Sequence, residues 1–314
     1  MKILIELPTW LGDCIMATPS IENLIRKYPK SDVTFIGSKV AIELMKDHPN
    51  CFAVYELEKS FFGALRTFNL IGNFDLFFSY RGSYRTRFLK FFLRAKNKFQ
   101  YKKKKYPSGH QVEKYNTFIN ECISSSFLPS KLKIYKEITA KKKVRPILGI
   151  NPGATYGSAK CWLPESFARV AINLSEEFDI VIFGGKNEIQ TANEIEVLFL
   201  ESGKKNLSNL AGKTSIDELV KNIASVSFFL TGDSGPMHIA SALQIPTISI
   251  FGPTKEIETC QWMNKNSVIL KKNLECQPCM KRVCPLEHHN CMKLISHEQV
   301  TEAIRNLSGE VNVN

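Results

Sequence analysis

Short runs of apolar residues alternate along this chain with longer stretches in which apolar residues recur at helical spacing. Two of the runs, Val226–Leu230 and Thr247–Phe251, have the length and the aliphatic and aromatic content of buried strands. Buried strands that alternate with helical stretches are typical of a parallel sheet. The same pattern predicts strands at Ile3–Leu7, Val33–Gly37, Phe74–Ser79, Ile147–Ile150 and Ile180–Phe183.

A helix start is predicted directly after the first of the two runs. Asp233 or Ser234 can cap this helix, and Pro236 fits its first turn, so the helix is expected to begin at Gly235. Free backbone N–H groups and the helix dipole favour an anion at such a point, and glycine lets a ligand approach the backbone. The pattern therefore predicts a phosphate-bearing ligand there, flanked by Asp233 and His238. A capping aspartate and a helix histidine in an ordinary α/β domain explain the spacing equally well.

The first half of the chain carries a second candidate turn after its first strand. A helix is expected to run from there to about Tyr28, with Pro19 placing a turn or a new helix start at Thr18. Asp13 is then predicted to lie in the loop at the carboxyl end of the first strand, the edge at which open α/β sheets bind ligands. Further helices are predicted at Asn116–Ser124 and Pro164–Phe178.

The segment Lys141–Pro146 is the best candidate for a linker, because it is charged, closes with proline and precedes a new strand. The strand–helix alternation restarts after it. The sequence thus predicts an α/β fold of two doubly wound domains, residues 1–145 and 146–314, with a ligand in the cleft between them and the last helix able to pack back on the first domain. No Gly-x-Gly-x-x-Gly motif follows a strand and no Walker-type loop occurs, which disfavours dehydrogenases and P-loop enzymes.

The composition is that of an ordinary soluble globular protein, with 44% hydrophobic and 23% charged residues among 314. No apolar run reaches the roughly 18 residues of a membrane-spanning helix. Glu6 and Asp13 interrupt the apolar N-terminal stretch, which therefore does not resemble a signal peptide. A cytoplasmic protein is expected, with its nine cysteines mostly reduced.

The positive charge is concentrated in the first half. Residues 1–145 carry 27 Lys and Arg against 12 Asp and Glu, whereas residues 146–314 carry 15 against 18. Eleven basic residues and no acidic one lie between Leu76 and Val112, interleaved with Phe88, Phe91 and Phe92. Such a segment attracts phosphates on nucleic acid, on a membrane surface or on an acidic substrate. A merely solvated face explains the lysines better than it explains the spaced arginines.

Three segments together resemble the ADP-heptose:lipopolysaccharide heptosyltransferases, which form glycosyltransferase family 9 and have the two-Rossmann-domain GT-B fold. They are Leu7–Pro19, Asn151–Trp162, and Gly232–His238 followed by Phe251–Thr254. They span most of the chain in the order of the family. A fourth segment, Cys276–Met292 with its cysteines and paired histidines, is similar to the heptosyltransferase II branch.

The resemblance implies an inverting transfer of heptose from ADP-L-glycero-β-D-manno-heptose to the phosphorylated lipopolysaccharide inner core, at the anionic inner face of the cytoplasmic membrane. Asp13 matches the family's general base, although a helix N-cap is the commoner use of such a residue. The alternatives are a heptosyltransferase I- or III-like enzyme, a relative that uses another nucleotide sugar, and a nucleic-acid-binding protein that uses residues 81–105. No RNA-binding module pattern accompanies the basic segment, so no nucleic-acid partner is expected.

The resemblance also assigns the donor side. Lys160 would meet the diphosphate, Asp233 the heptose hydroxyls, and His238 the sugar or the phosphate, although a surface lysine, an N-cap and a structural histidine are the plainer interpretations. Glu188 is assigned to the nucleoside hydroxyls, with a solvated glutamate at the helix start as the alternative, and Thr214 to the adenosine pocket. The remaining diphosphate donors are Thr155, the amides of Gly153 and Ala154, and the helix start at Ser234, Gly235 and Pro236.

Three arginines, Arg81, Arg85 and Arg87, fall where the acceptor-side loop of the family runs and are assigned to anionic groups of the acceptor. The lysine content of this segment exceeds what the family leads us to expect.

Four cysteines, which lie near His288 and His289, offer a structural zinc site as a less favoured alternative to buried reduced thiols, because their spacing is not that of a regular paired knuckle. No catalytic metal and no cofactor are expected. The four cysteines are Cys276, Cys279, Cys284 and Cys291.

Overall fold

The computed structural model describes residues 1–58, 60–138, 144–154 and 156–312. The chain forms two compact units, Met1–Glu137 and Ile138–Asn314. The predicted linker, Lys141–Pro146, lies partly outside the described residues. The acceptor and donor roles of the two domains, and the cleft between them, stay predictions.

The first unit is a five-stranded parallel sheet with the strand order β3-β2-β1-β4-β5. β1 lies at its centre, and chain order reverses between β1 and β4, which makes this the switch point at which such sheets place ligands. The last residues of the two strands, Glu6 and Ser79, are register partners there. The strands are β1 (Lys2–Glu6), β2 (Asp32–Gly37), β3 (Cys51–Glu56), β4 (Phe74–Ser79) and β5 (Ala95–Gln100). The helices are α1 (Leu11–Lys27), α2 (Lys39–Met45), α3 (Phe61–Leu70), α4 (Tyr84–Phe92) and α5 (Gln111–Ile123).

Helix α1 corrects two predictions. It begins at Leu11, so Asp13 lies in its first turn and not in a loop. It also continues through Pro19 without a break. Proline has no N–H for the carbonyl oxygen four residues earlier, which belongs to Ile15, but the hydroxyl of Thr18 donates to that oxygen at 2.7 Å. The neighbouring side chain thus satisfies the carbonyl group that proline leaves without a donor.

The second unit is a six-stranded parallel sheet with the order β11-β10-β9-β6-β7-β8, in which chain order reverses between β6 and β9. Its strands are β6 (Ile147–Asn151), β7 (Asp179–Ile182), β8 (Leu207–Asn209), β9 (Phe228–Gly232), β10 (Thr247–Phe251) and β11 (Ser267–Lys271). Its helices are α6 (Pro164–Leu174), α7 (Ile189–Glu201), α8 (Ile216–Ile223), α9 (Gly235–Ala242), α10 (Glu256–Thr259), α11 (Asn290–Lys293) and α12 (His297–Asn312). Alternate side chains of β6, β7, β9 and β10 lie on one face of this sheet, where they form a buried core with α6, α7 and α12.

The fold class is confirmed, and most predicted strands differ from the observed ones by a residue or two. Two helices differ more. α5 begins at Gln111, five residues before its predicted start, because His110 and Glu113 form a capping box there. α6 ends at Leu174. Helix α12 packs on α6, β10 and β11 within the second unit, and its return to the first domain stays a prediction. None of the helices in the described ranges is long and apolar enough to cross a membrane.

Candidate functional site

The turn between β9 and α9 forms the start of the predicted anion site. α9 begins at Gly235, as predicted, with Pro236 in its first turn. Ser234 is the N-cap residue, but among the described residues its side chain makes no capping hydrogen bond to the helix. Its hydroxyl lies 2.9 Å from that of Thr231 and 3.3 Å from the amide nitrogen of Asn151, at the end of β6. Ser234 is therefore held by the strand ends, and the first backbone N–H groups of α9 are not covered by its side chain.

Lys160 and Asp233 form an ion pair beside this helix start. The Lys160 Nζ atom lies 2.5 Å from Asp233 Oδ2 and 3.3 Å from the Asp233 carbonyl oxygen, and only 11% and 7% of the two side chains are exposed. The hydroxyl of Thr254 donates to the same carboxylate oxygen at 2.7 Å. The resemblance assigned Lys160 to the diphosphate and Asp233 to the sugar, and the structure brings the two residues into direct contact. The Asp233 carboxylate therefore holds the Lys160 ammonium in place beside the start of α9.

Tyr156 adds an aromatic wall next to the lysine. The Lys160 ammonium lies 4.7 Å from the centre of the Tyr156 ring, and the Arg282 guanidinium lies 5.4 Å from it. Both are cation–π distances. The Tyr156 hydroxyl donates to the Met280 carbonyl oxygen at 2.8 Å. Sequence reasoning missed Thr254, Tyr156 and Arg282 as members of this site, although all three lie inside segments that carried the resemblance.

The cysteine-bearing loop, Cys276–Met292, contacts the turn that carries Lys160 and holds it in place. The Ala159 backbone N–H donates to the Arg282 carbonyl oxygen at 3.0 Å, and the His289 ring contacts the Ala159 carbonyl oxygen at 3.1 Å. A Cβ atom on Gly157 would lie 2.3 Å from that same Arg282 oxygen, so the close approach requires glycine. The loop that resembles one branch of the family therefore has a structural role beside the Lys160 turn.

Glu188 lies close to the backbone of the loops that follow β6 and β7. It accepts a hydrogen bond from the Gly185 backbone N–H at 2.7 Å, and a Cβ atom on Gly153 would lie 1.9 Å from its side chain. The half-buried carboxylate thus caps its own turn at the start of the helix and lies next to Gly153, and the interpretation as a solvated glutamate stays open. Its role toward nucleoside hydroxyls stays a prediction.

The other residues assigned to the donor lie in the loop after β6, on α9 and in the loop before α8. Ala154 follows Gly153 in the loop after β6, and Thr155 lies outside the described residues. His238 is buried on α9, one turn after the helix start. Thr214 is half-buried in the loop between β8 and α8.

Asp13 faces α5 in the first unit. The Tyr115 hydroxyl donates to Asp13 Oδ1 at 3.3 Å. Burial and the Asp13 carboxylate together raise the pKa of Tyr115 well above its ordinary value, so this hydroxyl stays protonated as a donor. The carboxylate is half-buried and keeps a fixed hydrogen-bond donor at one oxygen.

The three arginines do not form one cluster. Arg81 Nη1 lies 3.7 Å from a carboxylate oxygen of the buried Glu6. Arg85 donates to the backbone carbonyl oxygens of Glu58 and Ser60, and burial and the Arg81 charge lower its pKa. Arg87 is exposed and lies over the Tyr84 ring at 5.7 Å. Arg85 thus holds the chain before α3, which sequence reasoning did not foresee.

Four cysteines line one small cavity of about 20 Å³ together with His288 and His289. Burial and the three neighbouring thiols raise the pKa of Cys291 to about 11. All nine cysteines are free thiols. Within the described ranges, no group of three or more cysteine, histidine or acidic side chains is arranged to hold a metal ion. The four cysteines are Cys276, Cys279, Cys284 and Cys291.

Comparison with known proteins identifies the family. The sequence profile described as glycosyltransferase family 9 (heptosyltransferase) matches residues 73–290. The chain belongs to this family. It is 40% identical over 315 residues to lipooligosaccharide heptosyltransferase 2 of Campylobacter jejuni, and the match covers 98% of each chain. It is 36% identical over 126 residues to lipopolysaccharide heptosyltransferase 2 of Escherichia coli, which covers 40% of this chain and 36% of that one.

The solved structures confirm the fold of this heptosyltransferase. The structure of Escherichia coli ADP-heptose lps heptosyltransferase II superposes with a TM-score of 0.81 at 21% identity, over 99% of this chain and 100% of that one. The family match and the Campylobacter jejuni relative confirm the resemblance drawn from the motifs, so the chain is a glycosyltransferase. Its two Rossmann-like units are of GT-B type.

Proposed function

We propose that this heptosyltransferase transfers L-glycero-D-manno-heptose from ADP-heptose to the lipopolysaccharide inner core, where it adds the second heptose. The name of the Campylobacter jejuni relative, which is similar over nearly the whole chain, supports the position of the added sugar. The assignment of ADP-heptose to this site rests on one observation, the nearly buried Lys160–Asp233 pair beside the start of α9, where the Ser234 side chain makes no capping hydrogen bond. A cation and free N–H groups suit a diphosphate, and a neighbouring carboxylate suits sugar hydroxyls.

The reaction needs a base and a stabilised leaving group. The acceptor hydroxyl oxygen attacks the anomeric carbon from the face opposite the diphosphate, the bond between that carbon and the phosphate oxygen breaks, and ADP leaves with the bonding electrons. Asp13 takes the hydroxyl proton, a role that contributes about 10²- to 10⁴-fold in such enzymes. The Tyr115 hydroxyl donates to one oxygen of this carboxylate and helps to orient it. Lys160 and the start of α9 balance the charge that develops on ADP.

The donor loops supply the remaining contacts. Backbone amides of Gly153 and Ala154, with Thr155, bind the diphosphate, while Glu188 and Thr214 contact the nucleoside. His238 contacts the sugar or a phosphate. The braced cysteine-bearing loop keeps the Lys160 turn in place during turnover.

The first unit binds the acceptor and lies on an anionic membrane surface, at the inner face of the cytoplasmic membrane. Arg81, Arg85 and Arg87 are assigned to phosphates of the acceptor. Helix α4 exposes aromatic side chains next to these arginines, including Phe91, which is 76% exposed. A basic segment with exposed aromatic side chains suits the headgroup region of an anionic bilayer, because the charges attract the lipid phosphates and the rings enter the interface.

The test is transfer with chemically defined substrates. Purified protein is incubated with ADP-heptose and with core acceptors that carry either no heptose or one heptose, and ADP release and product mass are recorded. We expect ADP and a product one heptose larger only with the acceptor that already carries one heptose. Transfer to the heptose-free acceptor would instead assign the activity of heptosyltransferase I, and no transfer from ADP-heptose to either acceptor would refute the donor.

A further inference from the structure

The last residue of β1 is a buried carboxylate at the switch point of the first sheet. Glu6 is 2% exposed, and the three positions before it in β1 hold buried Ile and Leu side chains, which are typical of a central parallel strand. A buried glutamate is costly unless charged or hydrogen-bonding partners surround it. Burial raises the pKa of Glu6, and hydrogen bonds and arginine charges oppose that rise. The family resemblance gave this position no role.

The partners of Glu6 come from the segment that joins β4 to α4. The Ser79 hydroxyl donates to one carboxylate oxygen at 2.6 Å, and the Thr86 hydroxyl donates to the other at 3.1 Å. Arg81 Nη1 lies 3.7 Å from the oxygen that accepts from Thr86. Arg85 is a further cation whose charge acts on Glu6. One carboxylate therefore connects the end of β4, the loop and the first turn of α4.

The backbone of Arg81 is fixed by the same group of residues. The Arg81 N–H donates to the Ser79 hydroxyl oxygen at 3.1 Å, and the Gln100 side chain donates to the Arg81 carbonyl oxygen at 3.0 Å. Ser79 thus contacts both the Glu6 carboxylate and the Arg81 backbone. The Arg81 side chain remains 21% exposed, so it reaches solvent while its backbone is held in place. A ligand anion at the exposed part of the guanidinium would meet a side chain that has little rotamer freedom left to lose.

We propose that Glu6 is a positioning residue for Arg81 in the binding of the anionic acceptor. It acts through the Arg81 charge and through Ser79, and it does not contact the substrate. The proposal rests on the assignment of Arg81 to the acceptor made above. The donor site does not depend on Glu6, because all the donor-side residues belong to the second unit.

The experiment measures steady-state transfer with ADP-heptose and the one-heptose core acceptor in the intact protein. Glu6→Gln keeps the size and one of the two acceptor oxygens, but it removes the charge and replaces the other oxygen by an NH2 group. We expect the KM for the acceptor to rise about tenfold, which corresponds to 1.4 kcal/mol, while kcat and the affinity for ADP stay within twofold. Asp75→Asn, which removes the exposed partner of Lys96 and the Lys2 backbone at the other end of the same sheet, is the matched control and should leave the acceptor KM unchanged.

A double-mutant cycle separates positioning from a general structural effect. If Glu6 acts through Arg81, then Glu6→Gln added to Arg81→Gln should raise the acceptor KM no further. Fully additive increases would overturn the proposal, as would an unchanged acceptor KM in Glu6→Gln, or a parallel loss of ADP affinity.

A second variant covers the case in which Glu6→Gln does not fold. Thr86→Val removes one hydrogen bond to the carboxylate and leaves both charges, so a smaller rise in acceptor KM is expected, and an unchanged KM there would also overturn the proposal. Failure of the proposed function is distinct, because it would appear in the unmodified protein as absence of transfer.

Discussion

Replacement of Lys160 by methionine should destabilise the second unit through the carboxylate that it leaves behind. Removal of one partner from a buried ion pair costs about 3–5 kcal/mol. Two features of the structure lower this cost: the pair keeps some exposure, and Asp233 retains the hydrogen bond from Thr254. A hydrogen bond to a charged group contributes about 1.5–3 kcal/mol. We therefore expect Lys160→Met to lower the free energy of unfolding by about 2–3 kcal/mol.

The partner variant should cost less. Asp233→Asn keeps an oxygen that can accept from Thr254 and from Lys160, and the lysine keeps the Tyr156 ring beside it. We expect a loss of about 1–2 kcal/mol, since a flexible ammonium that is no longer paired can move toward water. The double variant should then cost about 1–2 kcal/mol less than the sum of the two single variants, because it leaves no unpaired charge.

Urea unfolding of the four proteins, followed by tryptophan fluorescence and circular dichroism at neutral pH, measures this coupling. The exposed pair Arg305–Glu177 is the matched control, because both of its side chains are about half exposed and no measurable coupling is expected. Additivity of Lys160→Met and Asp233→Asn within about 0.5 kcal/mol would refute the conclusion that the two residues form one stabilising pair.

Three further predictions follow from individual side chains. Asp13→Asn should retain ADP affinity but lose about 10²- to 10⁴-fold in kcat; turnover equal to that of the unmodified protein would remove Asp13 from the mechanism. Burial tends to raise the pKa of Glu22, but hydrogen bonds from His48, Lys133 and Tyr135 outweigh burial and lower that pKa to about 2. Because the pKa is lower in the folded protein than in the unfolded chain, Glu22 should stabilise the protein above about pH 4.5 and lose this effect as the pH falls toward 2. In urea unfolding, Glu22→Gln should therefore destabilise the protein at pH 7 and have little effect near pH 2. Cys291, whose pKa is about 11, should react with iodoacetamide at pH 8 far more slowly than glutathione does, and equal rates in a mass-spectrometric time course would contradict its burial.

Local patterns in the sequence were sufficient to predict the turn between β9 and α9. The β9 and β10 strands are short and mostly apolar. Ser234, Gly235 and Pro236 each favour a helix start, so the boundary at Gly235 was predicted to the residue. Asp13 was misplaced because two local signals were missing or misleading. Trp10, at the N-cap position of α1, has no side chain that can cap a helix, so the start at Leu11 was not evident. Proline usually ends a helix, so the continuation of α1 past Pro19 was not evident either.

Contacts between distant segments could not be predicted in the same way. Lys160 and Asp233 lie 73 positions apart, and the assignment of each to a ligand did not imply that they pair with one another. Glu6 was visible in the sequence as an acidic residue at the end of an apolar run, which is a signal for the ligand-binding edge of a parallel sheet. Its partners Ser79 and Thr86 became evident only when the strand order placed β4 beside β1.

Calorimetric titration of ADP and of adenosine into the unmodified protein and into Lys160→Met tests most directly whether the turn around Lys160 binds the diphosphate. The unmodified protein should bind ADP well and adenosine weakly, and Lys160→Met should lose about 10- to 100-fold in ADP affinity, the equivalent of one charge-assisted hydrogen bond, with adenosine affinity unchanged. Equal ADP affinity in both proteins would contradict the assignment of the diphosphate to Lys160 and the start of α9.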